Sequence, residues 1–224
     1  MTRSRNQSVT ISERLFRAFC RRHGIWCRRV PRTTRTTPDF RIRVGLEPSV
    51  VEVKQFDPNQ EDREALKALL AGQVRVRSYN PGRRIAKAIQ HGYGQLASLA
   101  RGRCPGLLVI YNNVGHDPTH TDPMMVRIAL YGQITVPVLV PADPSINPTF
   151  LPPKWGAKKS VSKEHNRALS AVGVLYKTVG GDVGMTFYHN VFASHAFTPD
   201  SLRAPDVKHY VVPDAVNFSE WVEV

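Results

Sequence analysis

The 224-residue chain has no run of about eighteen apolar residues, the least that a helix needs to cross a bilayer. Its opening residues, Met-Thr-Arg-Ser-Arg, lack the apolar centre of a secretory signal. Both absences argue against a spanning or classically secreted protein and predict a cytoplasmic one. Cysteine is scarce: Cys20, Cys27 and Cys104 are odd in number and lack Cys-x-x-Cys spacing. That excludes a disulfide framework and predicts reduced, partly buried thiols. No internal repeat or linker divides the chain, so a single domain over 1–224 is expected, with residues 1–9 as a flexible basic arm. Acid is also in short supply. Eighteen Asp and Glu face 31 Lys and Arg, for a net charge of +13 and a pI near 10.1. A field of that sign attracts polyanions, meaning nucleic acid or an anionic membrane surface.

What the chain does have is concentrated between residues 37 and 55, Thr-Pro-Asp-Phe-Arg-Ile-Arg-Val-Gly-Leu-Glu-Pro-Ser-Val-Val-Glu-Val-Lys-Gln. Asp39 opens one strand-like run to Val44, and a turn through Gly45 and Pro48 leads to a second, Val50 to Lys54. Alternation along the second run puts Val51 and Val53 on one face and Glu52 and Lys54 on the other. If the runs pair as a hairpin, Asp39 returns beside Glu52. Two adjacent carboxylates need a cation, and a divalent metal with oxygen ligands is the usual answer. A lysine two residues beyond can orient or help deprotonate a metal-bound water. By composition, Glu-x-Lys alone occurs about once in a chain of this length. The upstream Pro38-Asp39 adds the specificity, since Pro199-Asp200, Pro205-Asp206 and Pro213-Asp214 have no Glu-x-Lys after them.

Pro38-Asp39, followed thirteen residues later by Glu52-Val53-Lys54, resembles the signature of the PD-(D/E)XK nuclease superfamily. The resemblance extends over roughly residues 10 to 113. It implies an α/β fold: a central mixed β-sheet flanked by helices, with a restriction-endonuclease-like αβββαβ core. It implies magnesium-dependent cleavage of phosphodiester bonds, with manganese as a substitute. Asp39 and Glu52 would bind the metal, the backbone carbonyl of Val53 would add a ligand, and Lys54 would position the attacking water. The implied partner is nucleic acid, DNA ahead of RNA, with no membrane partner; a homodimer is compatible. Two rivals stay open: a binding module that keeps the fold without cutting, and a toxin-type nuclease acting on RNA.

The flanking segments can be read against that expectation. Thr10 or Ser12 caps a helix running to about His23, with Ile11, Leu15, Ala18 and Phe19 on its apolar face, extended by Phe16 and Cys20. Glu13 lies at the edge of that face. A carboxylate there suits a metal-site flank, and equally suits the positive end of a helix dipole. The resemblance implies the former, because many members carry a metal-binding Glu on this helix. Ile25 to Pro31 reads as a strand, and the basic loop after it makes Arg35 a candidate phosphate contact. Residues 56–81 read as an insertion near the site, with a short helix from Arg63 to Leu70 and with Arg75 and Arg77 as further contacts. From Gly82 to Arg101, Ile85, Ile89, Gly92, Leu96 and Leu99 form one helical stripe. Gly92 and Gly94 within it hint at close packing. The resemblance makes Arg84 and Gln95, on its border, substrate-binding candidates.

Leu107 to Tyr111 reads as a strand buried on both faces. Beyond it, His116, Asp117, His120 and Asp122 match no compact zinc spacing. Asp122-Pro123 starts a helix that ends at Gly132, and Ile134 to Val140 alternates as a strand. Trp155 reads as the anchor of a proline-rich loop. Ala171–Thr178 and Val183–His189 flank Gly180-Gly181-Asp182 as a C-terminal β-hairpin extension, with His189 and His195 at its exit.

Overall fold

The computed structural model describes residues 9–31, 36–74, 80–100, 102–156, 158–214 and 219–224. Helix α1 (Ile11–Arg22) starts at a reciprocal capping box, in which the Thr10 hydroxyl accepts from the Glu13 N–H and the Glu13 carboxylate accepts from the Thr10 N–H. Strands β1 (Trp26–Arg29), β2 (Phe40–Val44) and β3 (Glu47–Phe56) follow, then helices α2 (Gln60–Leu70) and α3 (Arg83–Ala100). Strand β4 (Gly106–Asn112) leads through a short 3₁₀ turn at Pro118–Thr121 to α4 (Pro123–Tyr131). Four two-residue strands come next: β5 (Ile134–Thr135), β6 (Val138–Leu139), β7 (Thr149–Phe150) and β8 (Lys154–Trp155). The chain closes with β9 (Ala171–Lys177), β10 (Val183–His189), β11 (Val207–Val211) and β12 (Val222–Glu223).

Eight of these strands form one mixed sheet in the order β1-β2-β3-β4-β9-β10-β11-β12. The architecture is α/β, with four α-helices among the described residues. β3 runs antiparallel to β2 and parallel to β4, and β4 runs parallel to β9. Because alternate residues face opposite sides, the sheet carries two cores. Phe16, Phe19 and Cys20 of α1 cover Phe40, Ile42, Val51 and Val53 on one side. Ile85, Ile89 and Leu96 of α3 cover Val50, Leu108 and Ile110 on the other. Each such side chain taken fully out of water contributes about 1.5–3 kcal/mol. None of the described helices is long and apolar enough to cross a membrane.

The hairpin of β9 and β10 does extend the sheet beyond β4, with β9 parallel to β4 and β10 and β11 continuing outward. Two expectations are corrected here. The run from Ile134 to Val140 is not one strand. Pro137 has no N–H for a ladder, and the segment divides into β5 and β6, which pair with β8 and β7 in two separate small sheets. The buried face of α1 is rotated toward Ser12, Glu13, Phe16 and Cys20, leaving Ile11 exposed. Trp155 does anchor its loop, its ring lying 5.4 Å from that of Tyr131.

Candidate active site

The register of β2 and β3 builds the site. Phe40 pairs with Val51, and β2 begins there, so β3 extends past the start of its neighbour. Within β3 the even-numbered residues spend their backbone groups on β4, as the bonds from Val50 N to Pro105 O and from Asn113 N to Phe56 O show at its two ends. The odd-numbered Val53 therefore turns its N–H and C=O toward the side where β2 is missing. The Asp39 carboxylate fills part of that gap, its Oδ2 accepting from the Val53 N–H at 3.0 Å. Asp39 is thereby fixed to the strand that carries Glu52 and Lys54.

Glu52 lies beneath α3 and is 2% exposed. Helix α3 packs closely here: a Cβ on Gly92 would stand 3.2 Å from Leu108, a tight approach, and 3.4 Å from the Glu52 Cγ. The packing hint at Gly92 is thus met, whereas a Cβ on Gly94 would meet open space. Lys54 Nζ donates to Glu52 Oε1 at 2.6 Å and to Gln95 Oε1 at 3.4 Å. Gln95 in turn donates to the Thr37 carbonyl at 3.4 Å, tying α3 to the segment that carries Asp39. Glu52 Oε2 is buried and has no hydrogen-bond partner. Burial, and after it the charge of Asp39, raise the Glu52 carboxyl to about 7 against the pull of Lys54.

These groups face an open cavity of about 370 Å³, lined by Asp39, Glu52, Val53, Lys54 and Gln95. The donor set fits a small divalent cation. It consists of two carboxylates, one with an unsatisfied buried oxygen, and a carbonyl on an open strand edge, all hard oxygen donors.

The other candidates fare differently. Glu13 is buried and lines the same cavity, but both its oxygens are engaged. Oε2 accepts from the Thr10 N–H at 3.0 Å and Oε1 from Arg29 at 2.8 Å. It brings a neutralised ion pair to the wall in place of the free ligand expected of it. Arg84 does not line the cavity: its guanidinium donates to Asp62 at 3.0 Å and to the Asp57 carbonyl at 2.6 Å. Its expected contact with substrate is therefore not supported. Arg35, Arg75 and Arg77 lie outside the described residues. The described part of the 56–81 segment contributes no residue to the cavity wall. His189 is buried against His209 at 2.9 Å, and burial lowers it to about 4; His195 is exposed elsewhere.

Arg29 and Gln55 are among the residues of the wall that escaped the sequence reading. Arg29 reaches Glu13 because it shares the α1 side of the sheet with Phe40, its partner in the pairing of β1 with β2. Gln55 accepts from the Ser12 N–H at 3.0 Å and so holds the start of α1 against β3. Gln55 directly follows Glu-Val-Lys, and that adjacency was its one available signal.

A second cluster lies outside this cavity. Asp62, Asp117 and His120 bring one ligand atom each within 4.8 Å of one another, a grouping that could hold a metal. Asp62 is already fully engaged, by Arg84, by His120 at 3.3 Å and by the Asn59 N–H at 3.0 Å. No protein-family model matches the chain, and neither the curated proteins nor the solved structures provide a match.

Proposed function

We propose that the protein is a metal-dependent nuclease of the PD-(D/E)XK type, hydrolysing phosphodiester bonds at the cavity beside the open edge of β3. The carrying observation is the buried, unpartnered Glu52 Oε2 beside Asp39 and Lys54. Leaving an anionic oxygen buried without a partner costs the fold free energy, and a bound cation would recover it. The chain order from α1 through three strands to α3 and β4, with α2 inserted, agrees with the αβββαβ core of that superfamily. The net charge of +13 suits a polyanionic substrate.

Asp39, Glu52 and the Val53 carbonyl would hold magnesium, which when bound supplies Lewis-acid activation of water and neutralises charge at the phosphate. Lys54 acts from a fixed position. Two of its three N–H groups are held by Glu52 and Gln95, and the third is available to orient the attacking water or a non-bridging phosphate oxygen. The water oxygen bonds to phosphorus as the bond to the leaving oxygen breaks. The proton lost by the water is balanced by one gained at the leaving oxygen. Glu13 paired with Arg29 keeps the far wall neutral overall while leaving a guanidinium near the path of a phosphate.

The test is incubation of the purified protein with plasmid, linear DNA and tRNA, with and without magnesium. Cleavage that requires the metal and falls about 10³-fold in Lys54→Ala is expected. Near wild-type turnover by Lys54→Ala would overturn the reading. The tRNA arm separates the RNA-cleaving alternative.

A further inference from the structure

The face of the sheet that carries Asp39 and Glu52 continues onto β1 and β2, and there α3 no longer covers it. Cross-strand partners share a face, so the register sets out rows on this side. Asp39, one residue before the first pair of the ladder, and Glu52, one residue past it, stand at the head of these rows. Arg28, Arg41 and Val50 form the first, and Trp26, Arg43 and Pro48 the one after. Successive rows are about 7 Å apart, two residues along each strand.

Two properties of this surface are costly for a free protein. Arg28 and Arg41 are exposed like charges placed directly opposite each other, an arrangement that destabilises a sheet. None of the three arginines makes an ion pair or a side-chain hydrogen bond with a described residue. In the same region Trp26 is 54% exposed, although the opposite side of its strand packs against α1. An uncompensated set of guanidinia next to an open indole matches a ligand that offers negative charge and flat aromatic groups together.

We infer that Trp26, Arg28, Arg41 and Arg43 form a docking platform for a single-stranded stretch of nucleic acid, with one unpaired base on the Trp26 ring and the phosphates on the three arginines. Stacking on an indole requires a base face that a continuous duplex does not offer, and guanidinia bind backbone phosphates in any sequence. The inference rests on the nuclease reading in one respect: the strand is taken to run from the platform along the rows to Asp39 and Glu52. It narrows the substrate class to nucleic acid with an unpaired segment beside the scissile bond. An anionic membrane surface would also attract the arginines, but the row leading to the carboxylates favours nucleic acid.

The experiment is a fluorescence anisotropy titration in EDTA, so that cleavage plays no part. The probe is a labelled oligodeoxynucleotide, used alone and annealed to its complement. Trp26→Ala should weaken single-strand binding about tenfold, leave duplex binding within twofold and leave the salt dependence unchanged. Trp26→Phe should recover most of the loss. Arg41→Ala should reduce the slope of log K against log salt by about 0.7 for the single strand. All four side chains are exposed, so circular dichroism and Tm should match wild type. Wild-type single-strand affinity in Trp26→Ala would overturn the platform, as would loss of binding to phosphatidylserine vesicles with oligonucleotide binding unchanged. If the platform fails, metal-dependent cleavage that requires Lys54 still stands. If no cleavage is found, the anisotropy result stands without it.

Discussion

Two carboxylate clusters flank α3, and they differ in how completely they are satisfied. Around Asp62, every charge is answered. Oδ1 faces His120, while Oδ2 takes Arg84 and the Asn59 N–H, and its carboxyl is held below the usual carboxylate range despite burial. Around Glu52, one oxygen accepts from Lys54 and the other accepts no hydrogen bond, and burial raises the carboxyl to about 7 although Lys54 and Gln95 pull it down. The first arrangement is a clasp joining α2, α3 and the loop after β4. The second leaves one buried carboxylate oxygen without a hydrogen bond, the gap that the proposed cation would fill. Both carboxylates are almost inaccessible to water, but Glu52 lies deeper, and the fold supplies fewer hydrogen bonds and counter-charges to it than to Asp62. Where the fold falls short in this way, the missing group is expected to be a ligand, and such gaps mark functional sites.

The sharpest way to break this comparison is to neutralise one acid in each cluster. Glu52→Gln should reduce cleavage by about 10³-fold, because it removes a proposed metal ligand along with its charge. Asp117→Asn, in the clasp, should leave kcat/KM within a few-fold of wild type. If Asp117→Asn were as inactive as Glu52→Gln, the clasp would be the metal centre and the assignment of the two clusters would reverse.

Stability should respond in the opposite sense. Asp62→Ala leaves Arg84, His120 and the N-terminal turn of α2 without their shared anion, and breaking such a buried pair costs about 3 kcal/mol. For a chain of this size that lowers Tm by about 10 °C, readable by calorimetry or circular dichroism. A Tm within 2 °C of wild type, to an order of magnitude on the same scale, would mean that the clasp contributes little.

How much of this was visible beforehand depended on how local the cause was. The β2–β3 hairpin was legible because alternation and Gly45, which adopts φ +59°, specify the turn and register within twenty residues. That local pairing brings Asp39 to Glu52. The α3 stripe was legible for the same reason, and it delivers Gln95 to Lys54. The place of β9 was not legible. A strand buried on both faces carries no mark of which neighbour it will take, so the β9–β10 hairpin was legible but its parallel pairing with β4 was not. The role of Arg84 was also hidden, because its partner Asp62 lies on a different helix with no periodic relation to it. Glu13 was expected as a ligand from the resemblance alone, since its place at the edge of an apolar face suited a metal flank and a helix dipole equally. The capping box, which Thr10 and Glu13 already spelled out, takes one of its oxygens and Arg29 the other.

The smallest expected effect is also the most direct contrast, because the two carboxyls should tilt stability in opposite directions with pH. Glu52 is raised from 4.5 to about 7 in the metal-free fold, so the folded protein holds this proton more tightly than the unfolded chain. Its contribution is fully present below about 4.5 and is lost as pH rises through about 7, an upper limit of about 3 kcal/mol. Asp62 is lowered from 3.8, so its contribution is present above that value and is lost as pH falls through its depressed folded pKa. Between pH 5 and 8 the Glu52 effect is superimposed on that of buried His189, whose lowered pKa makes stability rise with pH up to about 6.5. It is therefore read as the Tm of wild type minus that of Glu52→Gln, a difference that should decline with pH in EDTA. The variant should gain only a few degrees at pH 8, because Lys54 then loses its charged partner. With magnesium the slope should reverse, since binding requires the ionised carboxylate and stabilises by RT ln(1 + [L]/Kd). An identical pH profile in wild type and Glu52→Gln, with and without magnesium, would show that Glu52 is as fully satisfied as Asp62 and that no cation is missing.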